Sequence, residues 1–139
     1  MAVKTKRINI QAKSESMVDI TGEVQQAVSD SMIKAGTVTI FVSGSTASVS
    51  TIEYEPGAVS DCFRSLELIA PTGQDYQHHL KWHDDNGRSH VRACLLGPSL
   101  TVPFENSQLT LGTWQQIVLI ELDTSDRSRE LVLQIIGES

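Results

Sequence analysis

Apolar and polar positions alternate near the start of the chain, with Ile8, Ile10 and Ala12 on one side and Arg7, Asn9 and Gln11 on the other. That is the period of two of a half-buried strand. From Thr21, a residue suited to capping a helix, the period changes. Val24, Val28 and Met32 recur every four residues with Ala27 beside them, and Gly36 follows as a stop, which predicts a helix with one buried face. Thr37–Val42 is β-branched and aromatic, too short for a helix, and closed by Ser43-Gly44-Ser45; it predicts a central strand. A strand-like run from Ala47 to Tyr54 ends at Glu55-Pro56-Gly57, because proline cannot donate to a ladder and glycine permits a turn. Val59, Cys62, Phe63, Leu66, Ile69 and Ala70 then form a helical stripe that Pro71 and Gly73 terminate, predicting a second helix.

From Gln74 to Ser89 the pattern is polar and reads as loop. Beyond it, His90–Leu96, Ser99–Phe104, Trp114–Leu122 and Leu131–Ile136 read as strands, the last two joined in a hairpin through the polar segment Asp123–Arg129. No repeat, linker or low-complexity tract divides the 139 residues. The expected architecture is a single α+β domain over residues 1–139, an antiparallel β-sandwich with two packed helices.

Composition narrows the functional classes. With 40% apolar and 20% charged residues and no apolar run of membrane-spanning length, a soluble protein is expected. Lys4, Lys6 and Arg7 give the first residues positive charge, but Ile8 to Lys13 contains no continuous apolar core. An export signal is therefore not expected, and a cytoplasmic location is. Cys62 and Cys94 lack a Cys-x-x-Cys spacing and suit a pair of thiols, most simply small buried residues. The formal net charge of −6 argues against a nucleic-acid partner, whose phosphates need Lys and Arg. A small phosphorylated ligand needs only a few local donors and stays compatible.

All four histidines, His78, His79, His83 and His90, fall in one polar stretch with Asp84 and Asp85. Imidazole and carboxylate are ordinary ligands of zinc and similar divalent transition metals, and a catalytic ion needs about three protein ligands. Any one of these histidines is also compatible with a solvated loop residue; it is the clustering that points to a metal or acid–base site. Leu80 follows His79, so the glutamate of the zincin motif is absent. Ser45 and Thr46, in Gly44-Ser45-Thr46-Ala47-Ser48, offer hydroxyl and backbone donors to an anion, though a structural turn would look the same. Arg88 and Arg92 flank His90 and suit bidentate phosphate binding or ordinary surface charge. Glu53 is a candidate base. Trp114 is expected to anchor the core, with Gln115 on the opposite face.

Several motifs taken together resemble the YjbQ family: Tyr76-x-His78, Ser89-His90-Val91-Arg92-Ala93, Leu96-Gly97-Pro98-Ser99-Leu100-Thr101-Val102-Pro103, Leu111-Gly112-Thr113-Trp114-Gln115 and Gly137-Glu138. The resemblance covers essentially the whole chain. It implies an α+β fold built on a β-sandwich, a homotrimer, and a pocket for an ion or anion near the histidine motifs. It places His78 and His90 as ligands or catalytic groups, with Glu53 and Gln115 near them. It further implies a secondary thiamine-phosphate synthase activity, joining hydroxymethylpyrimidine diphosphate to a thiazole phosphate. Many relatives carry His and Asn where this chain has Gly44 and Ile52, which suggests His79 or His83 as a substitute ligand. The competing expectations are a non-catalytic metal-binding trimer and a metal-dependent hydrolase.

Overall fold

The computed structural model describes residues 1–139. Its elements run β1 (Ala2–Ala12), β2 (Ser16–Asp19), α1 (Thr21–Asp30), β3 (Ala35–Val42), β4 (Ala47–Ile52), α2 (Pro56–Ile69), α3 (Gln77–Trp82), α4 (Gly87–Leu96), β5 (Ser99–Glu105), β6 (Gln108–Leu109), β7 (Gln116–Glu121) and β8 (Arg127–Glu138). A five-stranded sheet has the order β1-β8-β3-β5-β6, and a three-stranded sheet the order β2-β7-β4. Every pairing is antiparallel.

The small sheet is covered on both faces, and the alternation of side chains along β7 shows how. Ile117 and Leu119 join Val38, Ile40, Leu131 and Leu133 of the large sheet and Val24 and Val28 of α1 in the main core. Val118, Ile120 and Leu122 point the other way, into a second cluster with Met17, Leu66 of α2 and Ala93 of α4. Each fully buried Val, Leu or Ile contributes roughly 1.5–3 kcal/mol over its exposed state, so β7 is the strand on which both layers depend. A strand buried on both faces reads as a continuous apolar run, as Ile117–Ile120 does.

The sandwich is as expected, and its helices number four rather than two. The segment read as loop contains α3, and the run read as a strand from His90 is α4. Val91, Ala93 and Leu95 alternate like a strand, yet α4 buries Arg88, Ser89, Arg92 and Ala93 and leaves Val91 and Leu95 exposed. Polar side chains can line the inner face of a helix when each finds a partner. The expected hairpin between the last two strands is absent. β7 and β8 belong to different sheets, and residues 122–126 cross between the layers. Trp114, expected in the core, is 72% exposed. Cys94 is exposed and Cys62 half-buried, its thiol pKa raised by burial. No helix is long and apolar enough to cross a membrane.

Candidate functional site

α2 begins at Pro56, with the Glu55 carboxylate accepting from Gly57 N at 2.6 Å and Ala58 N at 2.9 Å. Its far end is tied to α4. Arg92, 2% exposed, donates to the Ala70 carbonyl at 3.0 and 2.8 Å and to Glu67 at 2.9 Å. Arg88 donates to Asp85 at 2.9 Å and Glu15 at 3.2 Å. Burial opposes the Arg88 charge, but these carboxylates more than offset it and raise its pKa. Both arginines proposed as phosphate donors are thus committed to holding the helices in place.

α3 is laid against α4 by Tyr76. Its hydroxyl donates to Pro71 O at 2.8 Å, and its ring packs so closely on Gly87 that a Cβ there would lie 2.4 Å from the Tyr76 Cβ. Only glycine fits this contact. The arrangement brings His78 of α3 over His90 of α4, ring centres 4.4 Å apart and planes inclined by 49°. His90 Nδ1 lies 3.2 Å from the Ser45 carbonyl; a carbonyl only accepts, so Nδ1 carries the proton and Nε2 keeps its lone pair in the neutral ring. His78 Nδ1 is shielded from solvent and stands 3.3 Å from Asp84 Oδ1, off the line of a hydrogen bond. A carboxylate or carbonyl at one ring nitrogen is the usual way the other is turned toward a ligand.

Beneath this pair lies a buried polar network. Asp123, 2% exposed, accepts from the Thr46 hydroxyl at 2.9 Å, Asn86 Nδ2 at 3.3 Å and Ser125 N at 2.8 Å, with Arg127 at 3.3 Å. Burial pushes its pKa up, but these donors outweigh it and the net shift is downward. Asn86 in turn accepts from Ser89 at 2.8 Å and Thr124 N at 3.1 Å. Alongside, Glu121 takes Arg129 bidentately, at 2.7 and 2.5 Å. The Ser45-Thr46 turn and the start of α4 therefore hang from one frame. They border a cavity of about 250 Å³ lined by Gly44, Ser45, Ala47, His90, Ala93, Cys94 and Pro98.

Other predicted site residues are not in this place. His79 Nε2 faces Asp75 at 4.0 Å, and His83 is exposed in a left-handed turn closing α3 (φ 58°). No three His, Cys, Asp or Glu side chains converge in a geometry that could hold a metal ion, so neither histidine completes a site with His78 and His90 within one chain. Glu53 and Gln115 are also separate. Glu53 follows β4 while Ser45 precedes it, and eight extended residues span roughly 26 Å. Gln115 accepts from Gly112 N at 3.0 Å and donates to Thr51 at 3.2 Å. A larger cavity, about 370 Å³ beside Tyr54, Pro56 and Val59, has apolar walls and one carboxylate, Glu55, already used in capping α2. Sequence reasoning missed Asp123, Glu121, Asn86 and Arg129. For Glu121, Asp123 and Arg129 the one signal is charge beside an apolar strand, which also describes any turn; Asn86, just before α4, carries none.

The transition-metal expectation can be tested against the donors present. Two imidazoles on one tetrahedral ion, with nitrogens about 2.1 Å from it, have ring centres roughly 5.3 Å apart. The observed 4.4 Å is shorter, so the rings would have to part by about 1 Å, although the Nδ1 environments suit ligation through Nε2. The residues are of the right type for two ligands and do not make a complete set.

Comparison with known proteins agrees with this fold. The family model described as "UPF0047 protein YjbQ-like" matches residues 6–138. A UPF0047 protein of Methanothermobacter thermautotrophicus is 34% identical over 99% of this chain and 95% of its own length. One from Archaeoglobus fulgidus is 33% identical over 90% and 94%. Among solved structures, a YbjQ-like protein of unknown function from Sulfolobus solfataricus superposes with a TM-score of 0.88 at 34% identity, over 99% of this chain and all of that one. A hypothetical protein from Aeropyrum pernix gives 0.89 at 28% identity, over 97% and 99%. The chain belongs to the YjbQ-like UPF0047 family.

Proposed function

We propose that the chain is an enzyme acting on a small phosphorylated molecule at the His78–His90 pair, with thiamine-phosphate formation as the reaction to assay. The observation that carries this reading is the pair itself, two imidazoles 4.4 Å apart of which His90 lines a cavity. In that reaction the carbon bearing the diphosphate loses it together with the bonding electrons, and the thiazole nitrogen supplies the pair for the new C–N bond. Charge develops on the departing diphosphate oxygen. An N–H of His78, or of His90 in its imidazolium form with Nε2 protonated, would stabilise that oxygen or protonate it. A divalent transition metal such as zinc, if held by the Nε2 atoms of both histidines, would add positive charge at the same place. Replacing either histidine by alanine is expected to lower thiamine-phosphate formation by about 10²–10⁴-fold with the fold intact. Unchanged turnover in both variants would sink the reading.

A second reading, a non-catalytic metal-binding homotrimer, is favoured by the incomplete ligand set of one chain and by the exposed Leu68, Ile69, Leu80, Trp82 and Leu95 of α2, α3 and α4. Elemental analysis of untagged protein purified without chelator, with its mass in solution, tests it. Stoichiometric metal lost together with the trimer in the double histidine variant supports it; metal-free trimer rules it out.

A further inference from the structure

Arg129 stands at the start of β8 and is 7% exposed. Its Nε and Nη2 are fully used, donating to both Glu121 oxygens and, at 3.2 and 2.7 Å, to the carbonyl and hydroxyl of Thr46. Nη1 has no acceptor in the chain, yet it is not sealed from solvent. Gly44 lies against it: a Cβ on that residue would be 2.6 Å from Nη1, so the missing side chain leaves Nη1 uncovered on that side. Gly44 also lines the cavity shared by Ser45 and His90.

Resting on the reading of the histidine pair given above, we propose that Arg129, reached past Gly44, is the anion-holding residue of this site and that its ligand is a phosphate group. Nη1 offers two N–H donors with fixed direction, because four bonds prevent the guanidinium from turning away. Arg129 does not itself line the cavity, so a phosphate held there would meet this donor pair at the Gly44 edge, with its other oxygens toward His90. Arg88 and Arg92 do not compete for it, since carboxylates and a carbonyl occupy them. Glu121 neutralises the guanidinium's net charge, so affinity comes from aimed donors rather than from a positive field, and free phosphate binds weakly.

The test is a titration of inorganic phosphate into the wild-type protein, Gly44→Ala and the His78→Ala/His90→Ala double variant, followed by calorimetry. Gly44 lies outside the left-handed backbone region, so the alanine backbone is unstrained there; its Cβ, 2.6 Å from Nη1, covers that atom and presses on the guanidinium. Gly44→Ala is expected to weaken phosphate about tenfold or more, roughly 1.4 kcal/mol, with a lowered melting temperature from the overpacked guanidinium and the protein still folded at the titration temperature. Should Gly44→Ala perturb folding, Arg129→Lys in the same titration keeps a cation against Glu121 and removes Nη1; it too is expected to lose phosphate. No phosphate binding to the wild type, or equal binding to Gly44→Ala, overturns the proposal. Turnover of the histidine variants judges the pair separately: lost turnover with phosphate unaffected by Gly44→Ala overturns only the anion site, and retained turnover overturns only the catalytic reading.

Discussion

Asp123 and Asn86 meet side chain to side chain at 3.3 Å, and through that contact the crossing between the two sheets is joined to the start of α4. Asp123 also holds Thr46, next to the residue whose carbonyl orients His90. Its pKa is lowered in the folded protein despite burial, so the sign of its contribution follows. The stabilisation is complete above the unfolded value of about 3.9 and is lost as pH falls through the lower folded value. Asp123→Asn is expected to cost on the order of 1–3 kcal/mol near neutral pH and to flatten the fall in melting temperature between about pH 5 and pH 2. Thermal scans of both proteins across that range check it; parallel curves would remove Asp123 from the frame.

Arg92 supplies a contrast between scaffold and ligand binding. With two bonds to Ala70 O and one to Glu67, it fastens the end of α2 to α4. Arg92→Met is expected to destabilise the fold by about 2–4 kcal/mol, because the Ala70 carbonyl and its surroundings lose a buried partner. Phosphate affinity, measured below the melting transition, is expected to stay within a factor of two or so of wild type. A variant that melts normally but has lost phosphate would return Arg92 to the ligand.

Most strands and the first two helices were legible in the sequence because their burial is apolar and periodic; β2, β6 and the division of β7 and β8 between sheets were not. Val24, Val28 and Leu66 lie inside as their spacing predicts, whereas Met32, past the end of α1, and Ile69, at the end of α2, are exposed. α4 was misread because its inner face is polar: Arg88, Ser89 and Arg92 are buried by partners distant in sequence, such as Glu15 and Glu67. The histidine cluster was visible as composition, but which two members touch depends on how α3 lies on α4. Glu53 and Gln115, grouped with the histidines by resemblance, are parted by the full length of β4. No spacing rule reveals that separation, since it is set by strand direction in the folded sheet.

Gly87 gives the sharpest test of how the histidines are paired. Two effects of Gly87→Ala oppose each other. Alanine in a helix gains up to about 1 kcal/mol over glycine, less here because the position opens α4. Against this, the new Cβ would sit 2.4 Å from the Tyr76 Cβ, with backbone on both sides, and such overpacking costs typically about 1–3 kcal/mol. The clash wins locally, and α3 gives way because it is short and has no buried residue of its own. The expected outcome is a protein with nearly wild-type melting temperature in which His78 has moved off His90. Imidazole NMR signals would show this as loss of the mutual ring-current shift, and thiamine-phosphate formation should fall with it. If the two rings keep their contact in Gly87→Ala, Tyr76 is not what aligns them.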